Sequence, residues 1–201
     1  MRVKLDSTRK KIEKAALEEF YQHGFKNASM RVISKKAGMT VGNLYCYYLN
    51  KEDMFRALLE DVRNEIITVI HQAGEVIMSN PDFSSDGLNE LMSYSAQYIH
   101  DKKKEFVILF QGSKGSLFAD TRQKTAEKFA SNLKKIIEKI EKTTGQKFEV
   151  NKEFVIDLMS ETYINMLLEI LKKNKSKEWI EQVMYDIIRL LHSGMMNFFK
   201  K

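Results

Sequence analysis

The sequence predicts an all-helical protein with a small basic N-terminal module and a larger helical body. The 201 residues include 1 Pro and 9 Gly, too few for the frequent turns of a β-sandwich. Apolar residues recur at intervals of three and four along most of the chain, which is the spacing of one helix face. Residues 1–51 hold 11 Lys/Arg and 4 Asp/Glu, whereas the remainder holds 22 and 23. The positive charge is therefore concentrated in the first quarter of the chain.

Composition excludes several classes of protein. The single cysteine, Cys46, excludes an intramolecular disulfide and a cysteine-based zinc site. The longest apolar run, Phe106 to Phe110, is far too short to span a membrane. The first residues lack the apolar stretch of a signal peptide. We therefore expect a soluble, cytoplasmic protein with no membrane contact.

The N-terminal residues predict a first helix that ends at a glycine. Its apolar stripe consists of Ile12, Ala15, Ala16 and Phe20. Gly24 suits the left-handed position that follows a helix. Ser29 then starts a second helix, and its side-chain oxygen is expected to accept from free backbone N–H groups.

Two short helices follow in the pattern of a helix-turn-helix. Gly38 ends the second helix and allows a sharp reversal of the backbone. The third helix begins with the small or polar residues 40–43, which allow its N-terminus to enter a major groove. Asn50 caps a fourth helix, with Asp53 three residues later in capping-box position. A basic module of this kind favours an anionic partner such as nucleic acid, although a solvated basic face is the alternative.

This stretch resembles the DNA-binding domain of the TetR family of bacterial repressors. The residues that carry the resemblance are Ile12, Ala15-Ala16, Phe20, Gly24-Phe25, Ser29, Val32-Ile33, Ala37-Gly38-Met39-Thr40, Gly42, Leu44-Tyr45, Tyr47-Tyr48, Lys51-Glu52 and Met54-Phe55. The chain departs from the family pattern at Ser29, where threonine is usual, and at Ser34, where alanine is usual. Cys46 stands where the family has an aromatic or large residue.

The resemblance implies a DNA-binding domain over residues 1–51, with the helix-turn-helix motif at 29–48. It implies phosphate contacts from Ser29, Thr40, Tyr47 and Lys51. It implies base or groove contacts from Arg31, Val41, Gly42, Asn43 and Tyr45. Tyr45 and Tyr48 are alternatively core residues, and Lys51 is alternatively a solvated charge.

Residues 52–201 read as further helices. The periodicity predicts one long helix from Lys51 to Ser79, ended by Asn80-Pro81 and a polar loop to Asp86. Later helices are expected over 87–100, 118–143, 151–173 and 176–199. The apolar run within Lys104–Gln111 fits a buried strand or a buried helix, and the helical context favours the helix. Residues 112–116 read as a flexible connector.

The last two helices are apolar on more than one side, so they need a second surface to bury against. The resemblance implies that this surface is the partner subunit of a homodimer, in which these helices form a four-helix bundle. A deeper core within one subunit is the alternative.

The body is also expected to hold an effector site. We place it between the fourth helix and Met92, Tyr98, Phe106, Phe110, Gln111, Tyr163 and Met166, side chains that are apolar with a few polar tips. These residues favour a bulky, mostly apolar effector, although all seven are alternatively ordinary core.

No pattern of catalytic or metal-ligating residues is present in the sequence. The four histidines, His23, His71, His100 and His192, lack partners at metal-site spacing, and we expect no cofactor and no metal. The interpretation is a homodimeric DNA-binding regulator, a repressor that a small molecule releases from palindromic double-stranded DNA. The alternatives are a nucleoid or division factor without a ligand on the same fold, and an all-helical enzyme or adaptor with a basic N-terminal module.

Overall fold

The structure, a computed structural model, describes residues 2–79 and 86–200, with side chains for 7–79 and 86–199. It confirms the all-helical class, and it divides into two compact units. The first comprises Met1–Asn64 and Lys102–Arg122, and the second comprises Glu65–Asp101 and Gln123–Lys201. This division differs from the expected boundary at residue 51, because the start of the fourth helix and residues 102–122 pack with the N-terminal helices. The expected helix end at Asn80-Pro81 lies outside the described residues.

The helices of the first unit follow the predicted order. They are α1 (Arg2–Asn27), α2 (Met30–Lys36), α3 (Val41–Tyr45), the first part of α4 (Lys51–Ser79) and α6 (Lys103–Val107). A π-helical turn over Ile108–Gly112 continues α6. The apolar run predicted as helix is therefore helical, and its wider turn accompanies the burial of three successive side chains, Ile108, Leu109 and Phe110.

Aromatic rings form the centre of this unit. Phe55 of α4 lies edge-on to Phe20 and to Phe25 of α1, with ring centroids 4.9 Å apart in each pair. Phe118 lies 6.0 Å from Phe55. Phe20 and Phe55 are fully buried, so this cluster joins α1, α4 and the segment after the π turn.

The junction between α1 and the π turn is a close approach of two backbones. At Gly24, α1 kinks with φ 66° and ψ 172°, a conformation that essentially only glycine adopts. A Cβ at Gly24 would lie 3.1 Å from the carbonyl oxygen of Gly112. Gly112, expected in a flexible connector, is instead packed against α1, and α1 continues for one further turn to Asn27.

The second unit contains the rest of α4 with α5 (Asp86–Asp101), α7 (Thr121–Thr144), α8 (Lys152–Lys172) and α9 (Lys177–Met196). α5 packs along α9. Leu133, Ile137, Ile156 and Met195 form part of its core. Among the described residues, no helix is long and apolar enough to cross a membrane.

The second unit also contains a short pair of strands, and the last helix ends earlier than predicted, at Met196. β1 (Lys147–Phe148) pairs antiparallel with β2 (Phe199–Lys200). Phe199 was expected in the helix, but it leaves the helix and buries its ring 5.1 Å from that of Phe148. Glu141 accepts from the backbone N–H of Phe148 at 3.1 Å and pairs with Lys152 at 2.7 Å. The ammonium of Lys152 and then the N–H of Phe148 hold the pKa of Glu141 below its usual range.

We predict that Gly24→Ala destabilises the first unit by about 1–3 kcal/mol, because a side chain is strained at this φ and ψ and meets a backbone oxygen. The matched control is Gly38→Ala, since Gly38 also has a positive φ, 73°, but a Cβ there meets nothing within 4 Å. Urea denaturation measures both variants. Equal losses of unfolding free energy in the two variants would show that the contact with Gly112 carries no energy.

Candidate functional site

The surface formed by α2 and α3 is the candidate site. Leu44 is fully buried and anchors α3, whereas the neighbouring Asn43 and Gly42 are exposed. Tyr45 is 47% exposed, so the structure places it at the surface and not in the core. α3 therefore presents a polar face while one leucine holds it against the unit.

Capping fixes where α3 and α4 begin. The Thr40 side chain accepts a 3.2 Å hydrogen bond from the backbone N–H of Asn43. Asn50 accepts from the N–H of Asp53 at 2.8 Å, and Asp53 accepts in return from the N–H of Leu49 at 2.9 Å. These bonds satisfy backbone donors that a helix start leaves open, so the start of α3 is defined at Thr40.

Ser29 differs from its expected role as a side-chain cap. Its backbone occupies the N-cap position of α2, but its side chain makes no capping hydrogen bond. Its backbone N–H donates instead to the carboxylate of Glu19, at 3.3 Å. The hydroxyl of Ser29 is therefore not used to cap α2.

Glu19 is a site-forming residue that the sequence did not single out. It is 2% exposed, and it pairs with Lys36 of α2 at 2.9 Å. Through Ser29 and Lys36, its carboxylate ties both ends of α2 to α1. The position of Glu19 next to Phe20, on the inner side of α1, is the feature of the sequence that could have indicated its burial. Glu18 faces another way and pairs with Lys104.

The remaining predicted contact residues lie on or beside the same surface. Arg31 and Thr40 are exposed, and Val41 and Tyr47 are half-buried. Tyr48 is buried, and its hydroxyl donates to Glu13 at 3.4 Å. Burial is the main cause that raises the pKa of Tyr48. Tyr48 is thus a core residue, as its alternative interpretation held.

Comparison with known proteins identifies this module. Residues 12–58 match the family model described as bacterial regulatory proteins, tetR family. The chain is 38% identical over 66 residues to the uncharacterised HTH-type transcriptional regulator YdgC of Bacillus subtilis, covering 33% of this chain and 34% of YdgC. It is 36% identical over 59 residues to the HTH-type transcriptional regulator UidR of Escherichia coli, covering 29% of this chain and 30% of UidR.

Residues 12–58 are therefore similar to TetR-family regulators. The matches span about a third of the length of these curated relatives. The whole fold is similar to a TetR-like transcriptional regulator from Rhodococcus sp. RHA1, with TM-score 0.60 and 15% identity over 88% of this chain and 90% of that one. It is also similar to the transcriptional regulator FadR from Bacillus subtilis in complex with stearoyl-CoA, with TM-score 0.55 and 16% identity over 92% and 98% of the two chains. At these identities, the structures show that the fold is TetR-like.

Lys51, for which the resemblance implies a phosphate contact, also has partners within the protein. Its ammonium donates to the carbonyl oxygens of Lys26 and Ala28, each at 3.2 Å, and lies 4.6 Å from the ring centroid of Phe25. These carbonyls lie at and just beyond the C-terminal end of α1, where a cation is electrostatically favoured. Lys51 therefore fastens the start of α4 to the end of α1.

The second unit contains a cavity of ≈ 110 Å³. Residues of α4, α5, α7, α8 and α9 line it, and most of them are aliphatic, methionine or phenylalanine. Four lining residues carry a side-chain N–H or O–H group: Ser95, Asn132, Tyr163 and His192. The ring of Tyr163 stacks on that of Phe129 at 4.5 Å, and burial raises the pKa of the Tyr163 hydroxyl.

The seven expected effector-site residues are divided between the two compact units. Met92 and Tyr163 line the cavity, and Met166 lines a smaller one of ≈ 20 Å³ with Tyr163. Tyr98 stacks on Tyr94 at 6.1 Å. The other three, Phe106, Phe110 and Gln111, belong to the first compact unit. The sequence missed Asn132 and Ser95, because single polar residues on apolar helix faces gave no signal of a cavity.

We predict that Lys51→Met lowers the free energy of unfolding by about 1–2 kcal/mol, because two carbonyls lose a charged donor and Phe25 loses a cation. The control is Lys35→Met, since Lys35 is an exposed lysine of α2 and an exposed charge of this kind contributes little. Thermal and urea unfolding compare the variants. Unchanged stability in Lys51→Met would leave its contacts with α1 without an energetic role.

Proposed function

We propose that the protein is a DNA-binding transcriptional regulator, a homodimeric repressor that a small-molecule effector releases from a palindromic operator. The observation that carries the proposal is α3, a helix capped by Thr40 and anchored by Leu44, with a polar exposed face. A helix-turn-helix places such a helix in the major groove. The basic excess of residues 1–51 favours the same partner electrostatically.

The groove contacts are assigned to Arg31, Val41, Gly42, Asn43 and Tyr45. Packing within the protein does not explain the glycine at position 42, since a Cβ there would meet nothing within 4 Å. A missing side chain at the start of α3 lets a DNA edge approach the backbone closely. The exposed amide of Asn43 carries both a donor and an acceptor, the combination that reads adenine in the major groove.

The phosphate contacts are assigned to Ser29, Thr40, Tyr47 and Lys51. The Thr40 oxygen accepts from Asn43, and its O–H proton can donate to a phosphate at the same time. Lys51 has three donors, of which two are engaged by Lys26 and Ala28. The third donor reaches phosphate from a side chain that is already held in place.

A homodimer explains the exposed apolar side chains of the second unit. Phe154 and Leu158, one turn apart on α8, are 64% and 54% exposed, and Leu190 of α9 is 68% exposed. Apolar surface of this kind on two long helices marks an interface. A second copy that covers it also supplies the second recognition helix, which a palindromic operator requires.

The effector site is assigned to the cavity of the second unit. Residues of α4 line it, and α4 contributes to both compact units. A ligand that binds one conformation of α4 better than another shifts the population that binds DNA. DNA then weakens the ligand to the same degree.

We predict opposite kinds of change from Asn43→Ala and Tyr47→Phe. Asn43→Ala alters the preferred operator sequence by about 1–3 kcal/mol per lost base contact, whereas Tyr47→Phe weakens binding to all sequences alike. The measurement is a selection of preferred duplexes from a random library, followed by fluorescence anisotropy at several salt concentrations. Gln22→Ala, an exposed change on α1, is the control. An unchanged preference profile for Asn43→Ala contradicts the placement of α3 in the groove.

We predict that Leu190→Lys separates the dimer into monomers of 23.5 kDa that remain folded. Gln123→Lys, a charge added at an exposed position of α7, leaves the dimer intact. Sedimentation velocity decides the state of each variant, and circular dichroism checks the fold. A monomeric wild-type chain at micromolar concentration would overturn the dimer.

A further inference from the structure

The volume of the cavity in the second unit limits what it can hold. It measures ≈ 110 Å³. An apolar protein cavity of about 150 Å³ holds benzene. The space therefore suits a molecule of about one ring, smaller than the bulky effector that the sequence favoured.

The lining limits the charge of the ligand. Among the described residues that line the cavity, none is Lys, Arg, Asp or Glu. An ammonium group would lose its water there without gaining a partner of opposite charge, which is strongly unfavourable. A carboxylate meets the same cost beside neutral His192, a lining residue that carries a positive charge only when it is protonated. An uncharged ligand meets no such cost.

Asn132 supplies a fixed polar point in this lining. Asn132 is 8% exposed, and its side-chain amide N–H donates to the carbonyl oxygen of Ile70 on α4 at 2.7 Å. Gly74 makes room for it, since a Cβ at Gly74 would lie 2.5 Å from the Asn132 amide. The amide oxygen is an acceptor, and in an apolar site it selects a ligand that carries a hydrogen-bond donor.

We propose that this cavity binds a compact uncharged molecule of single-ring size, apolar over most of its surface, whose one hydroxyl or N–H group donates to Asn132. This inference rests on the proposed function, since it names the chemical class of the effector for the same site. Because Asn132 is bonded to α4, a ligand that engages it contacts the helix that contributes to both compact units.

The test compares three probes that share a ring. The first, p-cresol, is neutral and has one O–H donor, toluene lacks the donor, and 4-hydroxybenzoate replaces the methyl group of p-cresol with a carboxylate. Isothermal titration calorimetry with the full chain is expected to show p-cresol binding at least tenfold tighter than either analogue. The proposal would be overturned if 4-hydroxybenzoate, or a long-chain acid such as decanoate, bound as tightly as p-cresol.

Variants place the binding in this cavity. Ala73→Leu fills the space and is expected to lower the affinity for p-cresol at least tenfold. Ala57→Leu changes an exposed position of the same helix and is expected to leave that affinity unchanged. Asn132→Leu removes the acceptor, and this variant is expected to bind toluene and p-cresol with equal affinity. Gly74→Ala displaces Asn132 and gives the same loss of preference should Asn132→Leu fail to fold, which circular dichroism reports. Binding unchanged in Ala73→Leu would overturn the proposal.

Operator binding separates this inference from the proposed function. Release of operator DNA by p-cresol in the wild type, but not in Ala73→Leu, supports both. Binding of p-cresol without any change in operator affinity supports the ligand class and contradicts release by an effector. Release by a charged or long-chain molecule that also displaces p-cresol overturns the ligand class and leaves the regulator in place.

Discussion

The buried carboxylate of Glu19 is the interaction on which the candidate DNA surface depends. One of its oxygens accepts from the backbone at the start of α2, and the other pairs with Lys36 at the end of the same helix. A seven-residue helix has little stability of its own, so tertiary contacts must hold it. A buried acid is costly unless it is fully partnered, and here its partners are the two ends of the helix that it positions. α3 follows after a short turn and packs against α2.

Lys51 plays a comparable part on the other side of the module. Its ammonium holds the last carbonyls of α1 against the start of α4, and Phe25 and Phe55 pack beneath it. The cation at the start of α4 is unfavourable for that helix and favourable for the end of α1. A residue that the family pattern associates with phosphate therefore also has a structural role, and a loss of DNA affinity on its removal combines two effects.

The second unit uses one polar side chain inside an apolar core. Asn132 crosses from α7 to the backbone of α4, and the absence of a side chain at Gly74 is what allows the crossing. The arrangement leaves a small cavity instead of close packing. Close packing would be more stable, since an empty cavity of ≈ 110 Å³ costs about 2–3 kcal/mol. A bound ligand that fills the space would recover this free energy.

Local patterns in the sequence determined most of the helices and the starts of α3 and α4. Thr40 and Asn50 cap helices because a side-chain oxygen beside free N–H groups acts over a few residues, and the inward stripe through Ile12 and Phe20 follows from helical periodicity. The exposure of Asn43 and the burial of Leu44 follow from that same periodicity. What only the tertiary structure decided was which distant residues meet.

The partners of Glu19 lie 10 and 17 residues away, those of Lys51 lie 25 and 23 residues away, and Asn132 reaches across 62. The expected effector site drew residues from both compact units, because apolar side chains on different helices look alike until the packing is known. The departure of Phe199 from the last helix has the same origin, since its ring gains burial beside Phe148, 51 positions earlier. Pairings at these separations depend on how helices pack in three dimensions, and that packing carries no local signature in the chain.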